Sequence, residues 1–316
     1  MPRLPRLARL LSCIGLLAGA TAVAAPAGIE ARAQPAEFSV VTFNLYHDSA
    51  DWPRRRVQVL ATFRRLAPDA IVLQEVLQHE SLPNQAAWLA RELGYEYRFV
   101  TTDPPSHKRR YGIALLTRHP LVEEGETLLH PLEDHRTAGF ARLLVDGQPL
   151  NLYYTHLYWK PDGAAIRARQ VADLLAYVEA TSGEAPSLLA GDFNAEADAP
   201  ELAALLPGWE DAWLRLDPRA DTAASSTLNP AYFSTPARVD HVFLPRGRMR
   251  PLEARLLFAE PDADGLWASD HRAVYVRLRL PPVADTATEA AAATEAETEA
   301  DDTTEPAADP EVNKPF

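Results

Sequence analysis

The chain has 316 residues, 47% of them hydrophobic and 24% charged, with a formal net charge of −13 and one cysteine. That composition excludes a collagen-like, wholly disordered or disulfide-stapled chain, and the length is ample for a large buried core. The acidic balance argues against avid, sequence-blind nucleic-acid binding but is compatible with a local basic cleft.

Charge is unevenly placed. Residues 1–33 carry four arginines and one glutamate, and residues 281–316 carry ten acids and one lysine, so the body between them is only mildly acidic. Arg3, Arg6 and Arg9 precede an apolar run from Leu10 to Ala25. Ala31-Arg32-Ala33 then offers an A-x-A cleavage site, with Ala22-Val23-Ala24 as a second. This pattern predicts a secretory signal peptide over residues 1–33 and export to a periplasmic or extracellular space. The apolar run is short for a bilayer span, so no stable membrane span is expected once the signal is removed. Cys13 lies inside that segment, and the mature chain is therefore expected to hold no disulfide.

In chain order, EFSVVTFNL (Glu37 to Leu45) reads as a strand ending at Asn44. Pro53 sits where a first helical turn tolerates it, and Val57, Leu60, Ala61 and Leu66 recur at helical spacing as far as Ala67. Ala70 to Leu73 is a buried strand leading to Gln74-Glu75. A helix over Ala86 to Leu93 stops at Gly94, a strand follows from Tyr95 to Val100, and the polar stretch Thr101 to Arg110 is a loop. Further strands fall at Ile113 to Leu116, Ala141 to Val145 and Leu150 to Thr155, the last two joined by an Asp146-Gly147 turn. Ala164 to Val178 is a helix. SLLAGDFN (Ser187 to Asn194) is a short buried strand that reaches Asp192 and Asn194, two residues whose side chains leave one face of extended backbone. Gly191 just before them would allow a bend or the close approach of a ligand. Ala199 to Leu205 is a short helix, Asp217 to Pro236 a loop, and Val239 to Leu244 and Ala273 to Leu280 are late strands. From Ala284 onward Ala, Thr and Glu dominate. Residues 284–316 are expected to form a disordered acidic tail beside one domain at 37–281.

Several apolar strands thus deliver carboxylate, amide or imidazole to their ends, which describes one site. FNL at Asn44, LQEV at Glu75, THL at His156, GDFN at Asp192 and Asn194, RVDHVF at Asp240 and SDH at Asp270-His271 fall in a fixed order. That ordered set resembles the endonuclease/exonuclease/phosphatase superfamily across roughly residues 38 to 280. The resemblance implies an α/β four-layer sandwich, in which two mixed β-sheets pack face to face between flanking helices. It also implies a metal-dependent phosphoester hydrolase, most readily a phosphodiesterase, working by in-line attack of activated water. On this reading Asn44, Glu75 and Asp270 supply hard oxygen ligands suited to Mg²⁺ or Mn²⁺. Asp192 and Asn194 orient water and a phosphate oxygen. Asp240 holds the tautomer of His271, and His156 contacts the phosphate or the leaving oxygen. Whether Asp192 or His271 is the general base stays open, as does the choice between one metal and two.

Other readings stand beside these. Asn44 could end a strand in a simple turn, His156 could be a satisfied core histidine, and Asp270-His271 could cap the turn into the last strand. His241 points away from its neighbour Asp240 and reads as structural, and Trp209 and Trp213 read as core. His107-Lys108-Arg109-Arg110 is a solvated loop that could also hold polyanion phosphates. The substrate could be nucleic acid, a lipid headgroup as in sphingomyelinases, or an inositol phosphate. A binding module that has lost its chemistry, and a non-enzymatic surface protein or chaperone, are the readings from other classes. A monomer is expected.

Overall fold

The computed structural model describes residues 36–219 and 222–282. The proposed signal peptide and acidic tail lie outside the described residues.

Twelve strands form two six-stranded mixed sheets. The first holds β1 (Glu37–Asn44), β2 (Ala70–Gln78), β3 (Glu96–Val100), β4 (Arg110–Thr117), β11 (Arg250–Leu257) and β12 (Ala273–Arg279), in the order β11-β12-β1-β2-β4-β3. The second holds β5 (Leu121–Leu128), β6 (Thr137–Val145), β7 (Gln148–His156), β8 (Ser187–Asp192), β9 (Trp209–Asp211) and β10 (Asp240–Pro245), in the order β5-β6-β7-β8-β10-β9. Strand pairs β1–β2 and β7–β8 are parallel; the rest are antiparallel. Helices α1 (Trp52–Leu66) and α2 (Gln85–Leu93) cover the first sheet, and α3 (Ala164–Thr181) covers the second. The four-layer α/β sandwich is the architecture the motif order implied.

Strand periodicity builds these layers directly. In β1 and β2, Val40, Ala70 and Val72 face the second sheet and pack on Leu152, Leu188 and Val242. Their neighbours Val41, Phe43, Ile71 and Leu73 face the other way, onto Val59, Phe63 and Leu89 of the helices. Phe140, Tyr153, Leu189 and Phe243 similarly back onto Val171, Leu174 and Val178 of α3. Because both faces are buried, β2 and β8 read as continuous apolar runs rather than alternating ones.

Helix ends follow local chemistry. Asn84 accepts from the Ala87 amide at 3.0 Å, and Gly94, at φ 72°, closes α2. Several elements escaped the pattern reading. β5 (LVEEGETL) is an exposed edge strand with three acids, β9 has three residues, and β11 is arginine- and glutamate-bearing. The helix expected at Ala199 to Leu205 is one short 3-10 turn, Pro200–Leu202, and a five-residue helix α4 (Ala212–Leu216) follows β9. Gly191 answers to neither a bend nor a ligand: a Cβ there would collide with the Thr155 carbonyl, so glycine lets β7 and β8 pair closely.

Candidate active site

The parallel pairs leave the ends of β1, β7 and β8 at one edge of the sandwich, and β10 and β12 begin there. Register sets the arrangement: His156, Asp192 and Asp240 are direct cross-strand partners on β7, β8 and β10. All three side chains therefore rise from one row and one face.

Asp192 is the hub. Its Oδ1 accepts from the Asn194 amide at 2.9 Å, and its Oδ2 accepts from Asn44 Nδ2 at 3.0 Å. His156 Nε2 lies 3.6 Å and His271 Nδ1 3.8 Å from that second oxygen. Burial and the neighbouring Asp240 push its acidity up to about 7, against the pull of His271 and the two hydrogen bonds. Asn44, which the resemblance casts as a metal ligand, is committed to this network: its other end accepts from the Tyr46 amide at 3.0 Å. Asn194, at φ 51°, donates its side chain to the Leu157 carbonyl at 3.1 Å, which holds the two strand ends together.

Asp240 Oδ2 lies 2.8 Å from His271 Nδ1. Burial disfavours the charged ring, yet the Asp240 and Asp192 carboxylates outweigh it and hold His271 up to about 10. Asp240 Oδ1 is buried and has no hydrogen-bond partner among the described residues. Burial, then the charges of Arg136 and His271, drive His156 well below its ordinary value, so its imidazole is neutral. The site therefore pairs one cationic and one neutral histidine around a carboxylate poised near neutrality.

Glu75 sits where β2 is irregular: the pairing with β4 slips between Leu73 and Val76, and Glu75 takes φ 54°. This bulge turns the carboxylate out of the ladder into the cleft. Burial together with the Glu75 charge raises Asp270, against the pull of the neighbouring His271. Two groups could thus receive a divalent cation. Asp192, Asp240 and His271 present ligating atoms within 4.8 Å of one another, but internal hydrogen bonds already use these groups. Glu75 and Asp270 form a second pair, whose like charges act on each other and favour a cation between them, although Asp270 also accepts from the Ser269 hydroxyl at 3.2 Å.

Beyond Glu75 a cleft of about 540 Å³ runs between the sheets, lined by Arg109, Tyr111, His135, Arg136 and His156 among others. Of the basic loop singled out in the sequence, Arg109 lines the cleft while Lys108 pairs with Glu80 at 2.6 Å. Arg136 Nε is buried without a hydrogen bond among the described residues; Asp134, at 3.4 Å, is near but poorly aligned. Tyr111 is pushed up by burial and by Glu75. Arg136 and Tyr111 escaped sequence reasoning because only the pairing of β2 with β4 and the meeting of the two sheets bring them to the same cleft as Glu75.

Arg55 also escaped it. This fully buried arginine donates to the carbonyls of Leu45, Tyr46, His47, Ser49 and Ala268, so it ties the loop after Asn44 to the loop before Asp270. His241 is buried with Nδ1 2.8 Å from Asp211 and Nε2 2.9 Å from the Ala195 carbonyl. Trp209 and Trp213 pack against the cores.

Comparison with known proteins places these features in a family. The chain is 26% identical over 279 residues to a Drosophila melanogaster protein named "Putative neutral sphingomyelinase", spanning 77% of this chain and 61% of that protein. It is 28% identical over 165 residues to a Schizosaccharomyces pombe protein named "Probable RNA exonuclease", 47% of this chain and 32% of that one. The chain thus spans less than two thirds of the length of these relatives. In fold it is similar to D. rerio TDP2 solved with a single-strand DNA product, at a TM-score of 0.65 and 20% identity over 77% of this chain and 99% of that one. The model of the Endonuclease/Exonuclease/phosphatase family matches residues 41–271, well over half of the sequence. The fold is that of D. rerio TDP2, and by the family match the chain belongs to the endonuclease/exonuclease/phosphatase family.

Proposed function

We propose that the chain is an exported, divalent-metal-dependent phosphodiesterase whose catalytic groups are Asp192, Asn194, His156 and the Asp240–His271 pair. The observation that carries this reading is the convergence on Asp192 of Asn44, Asn194, His156 and His271 within 3.8 Å. Asp192, held by two hydrogen bonds and raised to about 7, is suited to take a proton from an attacking water. His271, kept cationic by Asp240, is the wrong charge state for a base and suits a phosphoryl oxygen gathering negative charge. His156, neutral, can donate one hydrogen bond to the phosphate while the Asn194 turn fixes its neighbour Asp192.

The residues fit a divalent cation. Glu75 and Asp270 would hold Mg²⁺ or Mn²⁺, with Asn44 orienting Asp192 beside them. The bound ion supplies charge neutralisation on the phosphate and leaving oxygen.

Nucleic acid is the favoured substrate, because Arg109, His135 and Arg136 line a cleft leading away from the scissile position and offer contacts to further phosphates. A lipid headgroup is the second reading, supported by the sphingomyelinase-like relative and by Trp159, which follows His156 closely and is 59% exposed. The test is hydrolysis of single-stranded RNA, single-stranded DNA, sphingomyelin and bis-p-nitrophenyl phosphate, with Mg²⁺, Mn²⁺ or EDTA. Turnover of an oligonucleotide that Arg136→Ala weakens mainly through KM supports the first reading. Preference for sphingomyelin supports the second, and no metal-dependent turnover of any ester refutes both.

A further inference from the structure

β10 starts at Asp240 in the site and ends at Pro245; β12 starts beside His271 and ends at Arg279. Their far ends frame a second groove, of about 990 Å³, at the opposite edge of the sandwich. Arg215, Arg246, Arg248, Arg250 and Arg279 line it against a single carboxylate, Glu210. Glu210 lies 3.6 Å from Arg215 and 3.8 Å from Arg246, and Arg279 is paired with Glu37 at 3.2 Å. Arg248 and Arg250 are exposed and have no ion pair among the described residues. Such a cationic concentration on a net-acidic body calls for a counter-charge.

The chain itself delivers one. Pro281 and Pro282 form part of the groove wall, and Asp285 follows three residues after Pro282, within about 10 Å of extended chain. Residues 283–316 hold ten acids and one lysine. We propose that the acidic segment 285–311 lies along the arginine groove, held by charge rather than by packing. Tethering at the rim places its carboxylates at millimolar effective concentration or above, where weak individual pairs suffice. Arginine is the cation best matched to carboxylates, and the Ala/Thr/Glu composition that cannot build a core still presents them. The docked segment would cover a basic face that lies away from Asp192 and would otherwise collect polyanions unproductively.

Digestion of the full chain with proteinase K, followed by intact mass, tests this. At about 20 mM NaCl the wild type should lose its 283–316 segment roughly tenfold more slowly than Arg248→Glu/Arg250→Glu, and about 500 mM NaCl should close the gap. Glu295→Gln/Glu297→Gln/Glu299→Gln, which leaves the groove untouched, should be cut as fast as the arginine variant. Equal low-salt rates for wild type and this second variant overturn the proposal, whatever the arginine changes do to folding. Protection that survives high salt overturns it too, since charge would not be the cause. So does a short single-stranded RNA that binds wild type and tail variant equally and loses affinity with Arg248→Glu/Arg250→Glu, which would assign the groove to an outside polyanion.

Discussion

His271 keeps its charge in a buried place because Asp240 lies 2.8 Å from Nδ1, and the Asp240 carboxylate in turn has no other hydrogen-bond partner among the described residues. Each is of little use without the other: a lone buried carboxylate is a cost, and a lone buried imidazole is neutral. Asp240→Asn and His271→Ala should each lower turnover roughly a hundredfold or more, and the double variant should be little worse than the worse single one. A double-mutant cycle on one good substrate at saturating Mg²⁺ decides the matter, and losses that simply multiply would mean the two act independently. Glu75 makes a different kind of claim. At an ion concentration about 100 times Kd, mass action stabilises the wild type by about 2.7 kcal/mol, roughly 5 to 10 °C of Tm. Glu75→Gln should lose most of that shift in a thermal melt with Mn²⁺ or Mg²⁺ while its metal-free Tm stays put. A full ligand-induced shift in Glu75→Gln would remove Glu75 from the ion's coordination.

β10 carries a candidate-site residue on one face and a structural cluster on the other. Asp240 faces the site, and the next residue, His241, turns into a buried cluster with Asp211 and Arg238, the arginine lying 2.9 Å from the carboxylate. Burial opposes the Asp211 charge, but His241 and Arg238 overcome it and hold the group down at about 2. A depressed carboxylate contributes stability that is complete above its unfolded value near 4 and is lost as pH falls toward its folded value. Asp211 should therefore supply about 2 kcal/mol that disappears between about pH 4 and pH 2. Asp211→Asn should melt several degrees lower at pH 7, with the gap narrowing through that window. A gap independent of pH would show that packing, not ionisation, is what Asn disturbs.

At the scale of the whole molecule, the sandwich separates two charged regions. The edge that holds the candidate site gathers carboxylates and histidines, and the opposite edge gathers arginines. The proposed export concerns the full chain as well. The basic start, apolar run and A-x-A site predict a mature N-terminus near Gln34, or near Ala25 at the alternative cut. N-terminal sequencing of protein from a non-cytoplasmic fraction checks this, and finding only Met1-containing protein in the cytosol would refute it.

Much of the candidate site was legible because phosphoester chemistry would call for distinctive residues at strand ends. Asn44, Glu75, His156, Asp192, Asn194, Asp240, Asp270 and His271 each follow or precede an apolar run, and their order along the chain carries the family. Buried parallel strands were equally plain, since being covered on both faces forces continuous apolar runs such as Ala70 to Leu73. Exposed edge strands were not: β5 carries acids at successive positions because solvent, not a core, borders it. The tertiary structure alone decided which groups share a carboxylate. Asn44 meets Asp192 across 148 residues, Arg136 reaches the cleft by β6 pairing beside β7, and Arg55 gathers five carbonyls from two distant loops. No local pattern encodes such contacts, because sheet order and register, set by long-range burial, determine which strand ends become neighbours.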